Sequence, residues 1–334
     1  MADKSKIEWT DATWNPVTGC TKVSAGCKFC YAERDFHRPY PGRDFTDVQT
    51  HPERLFQPFR WRRPRRIFVD SMSDLFHEAI PTEFILKVFE VMAFAKRHTF
   101  QVLTKRPERM KHLLVYGKTM KCDSAEHHRL LCTMPLTNVW VGVSVEDQPT
   151  ADERIPLLLQ TPAAVRFVSY EPALRPVEFR EYITETCEAC GGQAFLSAES
   201  CHQVEAEGEC CAKGLDWVIS GGESGPKARP SHPDWFRSVR DQCQAAGVPF
   251  FFKQWGEWCP IPSVHFICQQ YVWLTEQGEI SMDFKVGADK QGLMLGTRCL
   301  ARLGKPQQKR LGISSLLDGR EWSEFPNPSL ATNH

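Results

Sequence analysis

The sequence lacks an excess of either charge: lysine plus arginine and aspartate plus glutamate number 41 each. That neutrality argues against a chain-wide surface for polyanions but not against a local basic patch. It also lacks any run approaching 18 apolar residues, so no membrane span is expected. No apolar stretch follows Met1-Ala2-Asp3-Lys4-Ser5-Lys6, and a secretory leader is not expected either. With 42% hydrophobic and 25% charged residues, disorder is not the default. Cysteine, by contrast, is abundant. Fourteen cysteines without a leader point to metal ligation in a reducing, cytoplasmic setting rather than to a disulfide framework.

Three of them lie close together: Cys20, then Cys27-Lys28-Phe29-Cys30. Soft thiolates select zinc, copper(I) or iron–sulfur clusters. A structural zinc site closes with four protein ligands, and here His37 is a candidate fourth. A cubane cluster normally takes four cysteines, so one held by three leaves an iron open to another ligand.

Farther along, short apolar runs alternate with amphipathic stretches. The runs are Ile67–Val69, Phe100–Leu103, Val139–Val145, Val165–Ser169, Asp216–Ser220 and Val248–Phe252, and the segment before Cys20 offers one more. Between them, Pro81 opens a helix, another begins at Pro107, one runs through Leu159, and one spans Asp234–Ala246 with Gly247 as its stop. This alternation means βαβ units and a parallel sheet. Polar residues gather at the carboxyl ends of the runs, the edge that carries the site in α/β barrels and open sheets alike. They include Asp70, Ser71, Asp74, Lys105, Ser144, Glu146, Glu171, Glu223 and Lys253. Periodicity alone does not separate a barrel from a doubly wound sheet.

The loop Cys20…Cys27-x-Phe29-Cys30 resembles the cluster loop of radical S-adenosylmethionine (SAM) enzymes, with a first gap of six residues where that superfamily usually has three. More widely, the chain resembles the phage Gp37/Gp68-type proteins, a group with radical-SAM-like features. The resemblance rests on Trp9–Tyr31, Val141–Glu146, Phe167–Pro172, Trp217–Pro226, Phe252–Gly256 and Leu317–Trp322. It implies a partial (β/α) TIM-like barrel over 1–172 and 215–260. It further implies a [4Fe–4S] cluster on Cys20, Cys27 and Cys30, SAM as cosubstrate, and an electron donor of flavodoxin or ferredoxin type. On this reading Ser144 and Glu146 contact the ribose, and Asp70, Ser71 and Asp74 meet the ammonium or the substrate. Glu171 and Lys253 are acid–base or substrate groups, and Tyr31, Tyr170 or a free cysteine is a candidate to quench a product radical. Gly221-Gly222-Glu223 looks like the superfamily's GGE motif but follows a late strand, so Glu223 is assigned to substrate.

A cysteine-rich insertion interrupts the pattern at 173–214. Its Cys187-x2-Cys190-Gly-Gly, Cys201 and Cys210 read as a zinc ribbon, with Cys211 or His202 as substitutes and a second iron–sulfur cluster as the alternative. Residues 261–334 read as a small β-rich appendage. The run Arg60-Trp61-Arg62-Arg63-Pro64-Arg65-Arg66 has the composition that grips phosphates and stacks on bases. With Lys105 and Arg106 after the next strand, it makes Arg62 and Arg63 candidate substrate contacts and nucleic acid a candidate partner. The competing function is a zinc-stabilised nucleic-acid-binding protein without radical chemistry.

Overall fold

A computed structural model describes residues 5–116, 130, 133–183, 214–260, 271–274, 277, 280–281, 298–302 and 315–326. Seven strands form one sheet: β1 Ala12–Trp14, β2 Arg66–Val69, β3 Thr99–Thr104, β4 Val139–Val145, β5 Val165–Tyr170, β6 Trp217–Gly221 and β7 Phe250–Gln254. Their spatial order is their chain order, and every neighbouring pair is parallel.

Strict sequential order distinguishes this sheet from a doubly wound one, whose strand order reverses at a switch point. Right-handed crossovers repeated in one direction put the helices from Thr82 onward on one face, and the sheet curls away from them. The curvature is visible in the rings. Trp9, just ahead of β1, meets Trp217 of β6 edge to face at 6.3 Å. Five strand spacings would separate them by roughly 24 Å in a flat sheet. β1 and β7 do not pair, so the barrel stays open.

Pleat alternation then assigns every side chain to one of two faces. Phe68, Trp140, Phe167, Trp217, Ile219 and Phe251 join Trp9 in a cluster on the concave face. Ile67, Val69, Val102, Val141, Val168 and Phe252 face the helices. α1 Tyr31–Phe36 packs separately, on Phe45 and the cysteine loop; the helices on the sheet are α2 Thr82–Phe94, α3 Pro107–Tyr116, α4 Gln148–Leu159, α5 Arg180–Ile183 and α6 Pro233–Ala246. α2 buries Phe84, Ile85, Val88, Phe89 and Met92 at helical spacing. Asp147 caps α4 in a reciprocal box with Thr150. Gly247 ends α6 at φ +69°, a conformation that glycine adopts without steric cost.

Beyond β7, strands β8 Trp258–Pro260, β9 Tyr271–Leu274, β10 Ile280–Ser281 and β11 Arg298–Arg302 form a separate antiparallel sheet. The last described segment returns to the barrel: Phe251 of β7 bridges Ser323, and the Trp217 and Trp255 indoles donate to the carbonyls of Glu324 and Leu316. The expected zinc ligands Cys187, Cys190, Cys201 and Cys210 lie outside the described residues. No described helix is long and apolar enough to cross a membrane.

Candidate metal centre and cavity

A cavity of about 380 Å³ opens at the carboxyl ends of the strands. Its volume is in the range that takes one cofactor-sized molecule. Trp9, Phe68 and Leu103 supply apolar wall from the concave face, and Cys20, Cys27 and Cys30 join the lining. Strand-end residues of the same pleat parity, Asp70, Lys105, Ser144, Ser169, Glu171 and Lys253, complete it.

Local backbone places each thiol. Gly19 holds φ +90°, and a Cβ there would lie 2.6 Å from the Asp47 carbonyl oxygen, so only glycine leads into Cys20. Cys27 ends the 3₁₀ turn Ala25–Cys27, and Cys30 precedes α1. Burial pushes the Cys20 thiol up to about 11, with Asp74 adding to the shift and the Arg106 guanidinium opposing it. Burial also raises Cys30, against the pull of the Glu33 and Ala32 amides.

Charges sit directly behind the cysteine loop. Glu146, wholly buried, accepts from Ser24 Oγ at 3.0 Å and pairs with Lys105 at 3.2 Å and Arg154 at 3.3 Å. Arg154 also donates to the Ser144 carbonyl at 2.8 Å. Asp74 accepts from Thr104 Oγ1, from the amides of Phe76 and Lys105, and from Arg106. Also in the lining, Lys253 Nζ bonds both oxygens of Glu171 at 2.7 and 2.8 Å, and Gln254 donates to the same carboxylate. Two of the buried oxygens without a hydrogen-bond partner among the described residues, Asp70 Oδ2 and Gln254 Oε1, belong to residues that line the cavity. A ligand rich in N–H or O–H donors would satisfy them.

Several candidates stand elsewhere than the sequence suggested. Tyr170 points to the helix side, packed on Phe179 and Phe236, with its hydroxyl on the Arg175 carbonyl. Pleat parity is the reason: its neighbours Ser169 and Glu171 take the cavity side. Arg62 and Arg63 precede β2 at its amino end, opposite the cavity. Glu146 and Asp74 have their oxygens committed within the protein, so they brace the loop rather than offer free groups. Ser71 Oγ is bound to Asn15 Oδ1. Glu223 lines the cavity, but both its oxygens are held by Arg229 at 2.6 to 2.9 Å. Arg154 was not singled out from sequence. Its signal was a lone arginine among Ala151, Ile155 and Leu158 on the buried face of α4.

Among the described residues, no three His, Cys, Asp or Glu side chains stand close enough to hold a single metal ion. The chemistry of the donor set fits a cluster: three thiols of one loop in the cavity lining, with Lys105 and Arg106 beside them to offset negative charge.

Residues 4–326 match the family described as protein of unknown function (DUF5131), and the chain belongs to that family. The phage Gp37/Gp68 relation is not what this match shows. No curated protein matches the chain. Among solved structures, it is similar to a spore photoproduct lyase mutant at 13% identity and TM-score 0.41, covering 93% of this chain and 73% of that one. A spore photoproduct lyase mutant with bound AdoMet and dinucleoside spore photoproduct is similar at 11% identity and TM-score 0.40, with coverages of 90% and 70%.

Proposed function

We propose that this member of the DUF5131 family is a radical-SAM enzyme, with Cys20, Cys27 and Cys30 holding a [4Fe–4S] cluster. The observation that carries the reading is that three thiols of one short loop, near enough to influence one another, all line the cavity at the carboxyl edge of a sequential parallel half-barrel. A cluster and SAM bound there would supply one-electron cleavage of the sulfonium and a carbon radical able to abstract hydrogen.

The chain's own residues have distinct tasks around that chemistry. Arg106 and Lys105 neutralise the thiolates. Asp70 and Gln254 present buried oxygens without a hydrogen-bond partner among the described residues, and an ammonium bound at Asp70 would favour its ionised form. Glu171 and Lys253 form a charged pair in the cavity lining that can hold or pass a proton. Trp9, Phe68 and Leu103 keep water from the inner wall. The electron is assigned to a flavodoxin- or ferredoxin-type donor.

The test is anaerobic reconstitution with iron and sulfide, reduction, addition of SAM and chromatography for 5′-deoxyadenosine. The nucleoside should form with the native chain and be lost in Cys27→Ala. Tightly bound zinc, no iron and intact SAM would instead favour the zinc-stabilised binding protein.

A further inference from the structure

The amino edge of the barrel, at the far end from the cavity, carries a second chemistry. Two turns meet there. One is Phe56–Arg65, leading into β2, and the other is Phe94–His98, leading into β3. His98 Nε2 lies 3.0 Å from the Pro58 carbonyl oxygen, the His98 and Trp61 rings meet edge to face at 6.1 Å, and the Thr99 amide donates to Arg65 at 2.9 Å. Neither turn contains an acidic residue.

Both turns present aromatic rings to water. Phe56 is 65% exposed, Phe59 43% and Phe94 78%, and these are three of the five exposed large hydrophobic residues among those described. The Phe56 and Phe59 rings lie 6.3 Å apart and 26° from parallel, a ready-made pair of flat faces. Beside them, Arg60, Arg62 and Arg63 are exposed, and none makes an ion pair or hydrogen bond with the described residues. Lys96 and Arg97 extend the positive charge on the adjoining turn.

A folding role accounts for neither half of this patch, because much of each ring faces water and the three guanidiniums have no ion-pair or hydrogen-bond partner among the described residues. Exposed aromatic rings concentrated at one place mark an interaction surface. Free guanidiniums match phosphate oxygens through their planar fork of donors. Rings stack on bases only when the base faces are accessible, which a duplex prevents and a single strand allows.

We propose that this edge binds single-stranded nucleic acid, with phosphates on Arg60, Arg62 and Arg63 and bases on Phe56 and Phe59. The proposal is independent of the chemistry assigned to the cavity, and a neutral chain can carry it because the charge is local.

The experiment is fluorescence anisotropy of a labelled oligothymidylate with the full chain across a series of salt concentrations. Binding should weaken as salt rises. The triple variant Arg60→Gln, Arg62→Gln, Arg63→Gln should flatten the log–log salt slope by about 2, following roughly 0.7 per phosphate contact on single strands. Phe56→Ala and Phe59→Ala should each weaken binding roughly tenfold while leaving the slope unchanged. All the substitutions are on exposed side chains, and thermal melts identify any variant that fails to fold. No binding at low salt, or equal binding by the triple variant, overturns the proposal. So does equal affinity for duplex, or indifference to both phenylalanines with full competition by polyglutamate, which would make the patch a dock for an acidic protein.

Discussion

Arg106 Nη1 donates to the sulfur of Cys20 across 3.6 Å, linking residues 86 positions apart. Every other N–H of that guanidinium is also committed: Nε to Glu78 at 3.0 Å, Nη1 to Asp74 at 3.2 Å, and Nη2 to the carbonyl and hydroxyl of Thr21 at 3.2 and 3.0 Å. The group is therefore held rigidly against the thiol. Hydrogen bonds to cluster sulfurs and nearby positive charge raise a cluster's reduction potential. Arg106→Met should still load iron, but its potential should fall by about 59 mV or more, a tenfold change for one electron. Redox titration followed by electron paramagnetic resonance reads this directly. An unchanged potential would reduce Arg106 to a clamp on the loop.

Gly26 is a packing constraint on the same loop. A Cβ there would stand 2.3 Å from Glu146 Oε1, and Glu146 is fixed by Arg154, Lys105 and Ser24. Gly26→Ala should displace Cys27, with an overpacking cost of about 1–3 kcal/mol. Iron and sulfide per chain should drop while far-ultraviolet circular dichroism stays native. Full iron content with an unchanged Tm would show that the loop gives way freely.

Asp70 holds φ +58° and is buried, with Oδ1 on the Val17 amide and Oδ2 unpartnered. Burial raises its pKa well above the usual carboxylate value. A raised folded pKa means that the native state holds a proton the unfolded chain releases. Stability therefore falls as pH rises from about 4 toward the folded value. Asp70→Asn removes that cost, keeps an acceptor for Val17 and suits a positive φ. Its Tm should exceed the native protein's at pH 7 to 8 and approach it near pH 4. A lower Tm at pH 8 would contradict this.

Asp318 fastens the returning C-terminal segment to α6. It pairs with Arg237 at 2.7 Å and is also bound by Arg240, and hydrogen bonding to Arg237 holds its pKa below the usual value. The stabilisation is present above about pH 4 and is lost as pH falls through the lowered value. Because Asp318 is partly exposed, Asp318→Asn should cost under about 1 kcal/mol globally. Its clearer effect should be faster proteolytic cleavage after residue 314 at pH 7. An unchanged cleavage rate would show that Trp322 and Glu324 hold the segment unaided.

The sequence by itself determined the elements and their chain order. Apolar runs such as Val139–Val145 are strands because they bury both faces, and Pro81 and Gly247 mark helix ends through local backbone chemistry. The cysteine loop was legible for the same reason, since Cys20, Cys27 and Cys30 are neighbours in the chain. Only the tertiary structure decided which polar residues remain free. Pleat parity turned Tyr170 away and Glu171 inward. Contacts across tens of residues consumed Glu146 and Asp74 in ion pairs and hydrogen bonds and set Arg106 against Cys20. Strand direction sent Arg62 and Arg63 to the edge opposite the cavity. Such outcomes depend on sheet curvature and on partners distant in sequence, and no local pattern of residue types encodes them.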